Sequence, residues 1–178
     1  LVIRDLQVRD SRGSDCVRGV DLDVAGGEIT CVVGVEGNGQ LEFIETVAGL
    51  RVARAGSIRV DGTDILSLDV REHRERFIAH IPEDRLFNGV CATSSLVDNL
   101  VLGYQRDPRF RSGPFLNIRA MRSFAEDLIR TFDIRARHLD QPIGELSGGN
   151  IQRAIVARES AHDVPGMLKL GLPIDPQS

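Results

Sequence analysis

A mixed α/β fold is predicted for this 178-residue chain by three observations. A nearly continuous β-branched run, Glu28-Ile29-Thr30-Cys31-Val32-Val33-Gly34, leads straight into a glycine-rich loop. Apolar residues alternate on either side of a turn cluster between Leu1 and Val24, and an apolar repeat of three and four joins Ile118, Met121, Ala125, Leu128 and Phe132. With 42% hydrophobic residues the chain can bury the core of one domain.

Taken in order, Leu1 to Val8 and Val17 to Val24 read as an antiparallel hairpin closed by Ser11-Arg12-Gly13-Ser14-Asp15. The run 28–34 has the composition of a central strand covered on both faces. After the loop, Leu41, Ile44, Val47 and Ala48 fall on one helical face, and Gly49 stops the helix. Gly56 to Asp64 reads as a strand and turn, Asp69 to Arg76 as a charged surface helix, and Phe77 to Ile81 as a buried strand ended by Pro82. A short helix is expected at Leu96 to Leu102 and a loop at Gly103 to Pro114. The repeat at 118–132 then follows as a helix. A last helix should start at Ser147, a natural N-cap, and bury Ile151, Ala154 and Ile155.

Charge and composition exclude several classes. A formal charge of -4 argues against a surface that attracts polyanions over its whole area, so no nucleic acid is expected as a partner. Lys169 is the only lysine, so any phosphate site must do without the usual ammonium. Cys16, Cys31 and Cys91 are too few and too dispersed for a metal box or disulfide framework. No apolar run approaches the ~20 residues that cross a bilayer, and the chain reads as cytoplasmic. It begins without methionine on a strand, which suggests that it was cut from a longer polypeptide.

Gly34-Val35-Glu36-Gly37-Asn38-Gly39-Gln40-Leu41 has the glycine spacing of a P-loop, with two side chains replaced. Glycines let backbone N–H groups converge on phosphate oxygens, and the following helix adds its positive end. Gln40 stands where a lysine would meet the β/γ-phosphates, and Leu41 removes the hydroxyl that would hold Mg²⁺. Weak ATP binding, or a purely structural role for the nucleotide, and little or no hydrolysis are expected at this loop. A glycine turn with no ligand is the alternative reading of the loop taken alone.

Leu146-Ser147-Gly148-Gly149-Asn150 differs at one position from LSGGQ, and the chain resembles the ABC ATPases that carry that signature. Ile81-Pro82-Glu83-Asp84-Arg85 is similar to the stretch that replaces a glutamine-centred Q-loop in the second nucleotide-binding half of importers for simple sugars and nucleosides. Gly37-Asn38-Gly39-Gln40 resembles the lysine-less loop of that half, most closely in the nucleoside-uptake members. Val47-Ala48-Gly49-Leu50 and Ile155-Val156-Ala157-Arg158-Glu159 fit as flanking sequence. The resemblance implies a P-loop NTPase core with an antiparallel β subdomain and a helical subdomain, C-terminally incomplete. It places a nucleotide-binding domain at 1–162: a β-rich part at 1–33 and 50–66, loop and helix at 34–49, a helical lobe at 86–145 and the signature helix at 146–160. An aberrant tail follows at 163–178, broken by Pro165, Pro173 and Pro176, where the family carries its Walker B strand.

The same resemblance implies a division of labour. Ser147, Gly148 and Gly149 would complete the γ-phosphate shell of an ATP held by a second, intact half, which supplies Mg²⁺ and the catalytic carboxylate. No catalytic residue and no metal ligand is then expected in this chain. Pro82, Glu83, Asp84 and Arg85 would touch a membrane permease, with a solute-binding protein as indirect partner, at the inner face of the cell membrane. Two other readings fit the same motifs: a soluble ABC ATPase without a permease, and a non-hydrolytic or decayed module.

Overall fold

A computed structural model describes residues 1–35, 37–82, 84–161 and 166–169. Backbone contacts divide these into two compact units, one holding the described residues of 1–80 with 166–169 and the other those of 81–161.

In the first unit β1 (Val2–Arg9) and β2 (Asp15–Asp23) form the expected hairpin. The Asp10 carboxylate closes its turn by accepting from the amides of Arg12 and Ser14 at 2.9 and 2.8 Å. A bulge interrupts β1 between Ile3 and Leu6, where Asp5 has a φ of 44°. That extra residue puts Ile3 and Leu6, three apart, both in the core, and explains why the alternation in the sequence is loose. β3 (Ala55–Val60) and β4 (Thr63–Asp64) are joined by Asp61-Gly62, both with positive φ, as a two-residue hairpin requires. The resulting antiparallel sheet has the order β2-β1-β3-β4.

Helix α1 (Gln40–Val47) lies over this core with Phe43, Thr46 and Val47 buried. The expected face is therefore corrected in part: Val47 and Ala48 are buried, but Leu41 is exposed. The helix ends with the Leu50 amide on the Glu45 carbonyl and the Gly49 amide on that of Thr46, with Gly49 at φ 75°, a Schellman end that glycine permits. Helix α2 (Val70–Arg76) opens on a capping box, Asp69 and Glu72 each bonding the other's backbone amide. Its His73 is fully buried; Nε2 meets the Ile65 carbonyl, and the ring lies 2.8 Å from where a Cβ on Gly49 would stand. β5 (Ile78–Ile81), as expected from its apolar run, pairs with the strand Gly166–Lys169. The rest of the expected tail lies outside the described residues.

The run 28–34 is not a strand. Ile29 is 97% exposed and Val33 86%. A strand exists through its neighbours, and among the described residues none pairs with this segment, so β-propensity alone does not order it.

The second unit is helical. α3 (Leu96–Leu100) is capped by Ser95, whose hydroxyl accepts from the Asp98 amide at 3.0 Å. α4 (Ile118–Thr131) buries Met121, Ala125 and Leu128, while Ile118 in its first turn is exposed. α5 (Gly148–Ser160) buries Ile151, Ala154 and Ile155. These side chains share one core with Leu96, Leu100 and Ile143. The segment expected as plain loop carries a short hairpin, β6 (Arg111–Ser112) and β7 (Phe115–Leu116). Tyr104, Phe110 and Phe124 stack beside it edge to face. The Tyr104 hydroxyl donates to the Arg158 carbonyl at 2.7 Å, and Arg158 and Glu159 form a buried ion pair at 2.8 Å. Among the described residues no helix is long and apolar enough to cross a membrane.

Burial separates two classes of apolar residue. Ile58→Ala or Leu100→Ala, both fully buried, should each cost about 2–5 kcal/mol in urea unfolding. Ile29→Ser and Val33→Ser should change stability by no more than about 0.5 kcal/mol. A large loss in the second pair would show that the 28–34 segment packs in solution.

Candidate nucleotide sites

The loop at 34–41 belongs to the first unit, and Glu36 within it lies outside the described residues. Gly37 and Gly39 have φ of 85° and 90°, the left-handed region that glycine enters without strain. Gly39 is constrained twice, since a Cβ there would stand 2.7 Å from the Cys16 carbonyl oxygen of β2. This close approach seats the start of α1 on the sheet. Burial, with the Glu42 carboxylate adding to it, pushes the nearby Cys16 thiol pKa up.

Gln40 folds back over the loop. Its Nε2 donates to the Val35 carbonyl at 2.9 Å, and its carboxamide fills the space that Gly34 leaves by lacking a side chain. The Asn38 amide donates to the same carbonyl at 3.2 Å. The loop is thus tied by a neutral group where a phosphate site needs a cation. Leu41 offers no hydroxyl, and the nearest helical one, Thr46, is buried and donates to the Glu42 carbonyl at 2.7 Å. The glycine amides suit a phosphate, but these side chains do not fit Mg²⁺-dependent transfer at this loop.

The second site stands at the N-terminus of α5. Leu146 is buried in the helical core, while Ser147 and Gly149 are exposed and Gly148 is half-buried. Ser147 occupies the N-cap position, but its hydroxyl makes no bond to the helix backbone. It accepts instead from Asn150 Nδ2 at 3.1 Å, and Asn150 Oδ1 accepts from the Arg135 amide at 3.1 Å. The cap expected from sequence is therefore positional only. The first amides of α5, which have no intrahelical acceptor, stay without a side-chain cap. An open pocket of about 310 Å³ adjoins Ser147 and is lined by Arg135, Arg137, Gln141 and Glu145. Sequence reasoning missed these residues, although Arg135-Ala136-Arg137 places two cations shortly before the signature.

Pro82 ends β5, and Glu83 lies outside the described residues. The Asp84 carboxylate accepts from the amides of Leu86 and Phe87 at 3.0 and 2.9 Å, capping a π-helical turn, Arg85–Gly89. Gly89 packs closely on α5, where a Cβ would stand 2.7 Å from the Ile155 terminal methyl. Arg85 turns onto α5, its Nη1 donating to Gln152 Oε1 at 3.2 Å. The stretch expected to face a permease is thus held against the signature helix, and Leu86 and Phe87 beside it are exposed.

A family profile described as ABC transporter matches residues 17–168. The chain belongs to the ABC transporter family. Among ABC relatives it is 38% identical to the glucose import ATP-binding protein TsgD13 of Haloferax volcanii, over 96% of this chain and 31% of that protein. It is 39% identical to the nucleoside import ATP-binding protein NupA of Lactococcus lactis and to the guanosine import ATP-binding protein NupO of Bacillus subtilis, in each case over 89% of this chain and 31% of the relative. The chain therefore spans about a third of the length of these curated relatives. A dimeric ATP-binding cassette in a post-hydrolysis state, bound to ADP and Pi, shares the fold with a TM-score of 0.76 at 18% identity, covering 94% of this chain and 72% of that one.

The two loop glycines differ in a testable way. Gly39→Ala meets both a strained φ and the Cys16 carbonyl, whereas Gly37→Ala meets open space. Gly39→Ala should cost more than about 2 kcal/mol in urea unfolding and Gly37→Ala about 1. Equal losses would show that the loop does not rest on β2.

Proposed function

We propose that this chain is an ATP-binding half of an importer for simple sugars or nucleosides, working as the half that completes a partner's site. The supporting observation is the contrast between its two ends. The signature residues Ser147, Gly148 and Gly149 present an exposed helix N-terminus suited to phosphate, while the loop 34–41 is tied by Gln40 and has neither cation nor hydroxyl. In this reading residues 1–162 form the nucleotide-binding domain, with Gly34 to Leu41 as its degenerate P-loop and Leu146 to Asn150 as its signature. A second nucleotide-binding half holds the ATP and Mg²⁺, and Ser147 to Gly149 lie over the γ-phosphate. The names of TsgD13, NupA and NupO support sugar or nucleoside import, with a membrane permease and a solute-binding protein as partners and the inner membrane face as location. That the solved cassette sharing this fold is a dimer supports a paired arrangement.

The chain alone should hydrolyse ATP no faster than background in a phosphate-release assay. Turnover by the isolated chain that Gln40→Ala abolishes would sink the proposal. In an assembly with an ATP-competent half, Ser147→Arg should lower turnover at least about tenfold, because it fills the phosphate position and removes a donor. Undiminished turnover there would remove the signature from the mechanism.

A further inference from the structure

Positive charge is gathered in one stretch of a chain whose net charge is -4. Residues 106–122 hold five arginines, Arg106, Arg109, Arg111, Arg119 and Arg122, against one acidic residue, Asp107. Arg109 answers Asp107 and Arg122 answers Asp140, while the exposed Arg106, Arg111 and Arg119 have no ion-pair partner among the described residues.

The same stretch exposes apolar side chains on the β6–β7 hairpin and just after it. Phe115 is 74% exposed, Leu116 46% and Ile118, at the start of α4, 56%. In the hairpin register Ser112 lies opposite Phe115 and Arg111 opposite Leu116. Side chains alternate across a strand, so Phe115 stands on one face of the hairpin and Leu116 on the other. All of 111–116 is exposed, and neither face is covered by the described residues. A two-stranded hairpin is marginal in water by itself, and this one takes its support from its root. There the Asn117 amide donates to the Phe110 carbonyl at 2.9 Å, Phe110 is buried, and the Arg109 guanidinium lies 5.4 Å above its ring.

Ser112 to Ile118 carries no charge, and Arg111 and Arg119 bracket it. An uncharged tip with cations at its base can sink into a bilayer interface while the cations meet lipid phosphates. Two residues per strand and a turn reach about 7–10 Å, within the usual depth of interfacial burial. A flat protein surface would cover one face of the hairpin, whereas a fluid interface covers both. Nucleic-acid phosphates would answer the arginines but not Phe115 and Leu116.

We infer that the β6–β7 hairpin is a membrane-surface contact, seating Phe115 and Leu116 among the headgroups of an anionic lipid leaflet with Arg111 and Arg119 on the lipid phosphates. The inference stands on this hairpin and does not depend on which transport partners the chain has.

In flotation with phosphatidylcholine vesicles containing about a third phosphatidylglycerol, the whole chain should rise with the lipid, and it should not rise with phosphatidylcholine alone. Arg111→Gln with Arg119→Gln should lower the partition coefficient about thirtyfold. Phe115→Ser with Leu116→Ser, which leaves every charge in place, should lower it at least about tenfold. Arg12→Gln with Arg59→Gln removes as much charge from the other unit and should stay within about twofold of the wild type. All six positions are exposed, so none of these changes empties a core. No flotation of the wild type, equal flotation on phosphatidylcholine, or an unchanged partition in either hairpin variant overturns the inference. Retention of a single-stranded oligonucleotide that Phe115→Ser with Leu116→Ser leaves intact, without flotation, also overturns it and makes the patch a phosphate-backbone surface. None of these outcomes bears on ATP turnover, so the signature reading is judged separately.

Discussion

A helix cannot satisfy its own first amides, and the chemistry of this chain depends on what answers them at two places. At α1 no side chain caps them, but the turn ahead of the helix is tied. Gln40 and Asn38 both bond the Val35 carbonyl, so the turn before the helix is closed on itself. At α5 no side chain caps the backbone; Ser147 bonds Asn150 instead, and the glycines keep the surface bare. The same backbone device, a glycine-rich approach to a helix, thus leaves the first amides without a side-chain cap in both units, and what differs is the turn before the helix, which Gln40 ties in the first.

The antiparallel sheet of the first unit and the helical core of the second serve these two ends differently. β2 carries the Cys16 carbonyl on which Gly39 rests, so the loop takes its position from the hairpin. In the second unit Leu146 is sunk into the core formed by α3, α4 and α5, which holds Ser147 at the surface one residue later. Burial of one apolar side chain thereby fixes the exposure of the next polar one. Arg135, which gives its amide to Asn150, ties the approach from α4 to the same spot.

Much of this was legible in the sequence, and the gaps have physical causes. The hairpin, the strand ended by Pro82 and the helices at 118–131 and 148–160 followed from periodicity and punctuation. The run 28–34 was not legible, since composition reports what a segment is suited to and not whether a partner strand stands beside it. Leu41 was misplaced because one large residue, Phe43, sets the buried face of α1. Both glycine motifs were legible as backbone devices. The arrangement around them was not: the reach of Gln40 to Val35 and of Arg85 to Gln152 depends on side-chain paths that spacing does not encode.

The buried imidazole of His73 against Gly49 bears on how the loop can respond to anything that touches it. Gly49 ends α1, and a ring packed where its side chain would be leaves that end of the helix no slack. The tail of the helix thus rests on α2, and a displacement of α1 along its axis bears directly on the His73 ring.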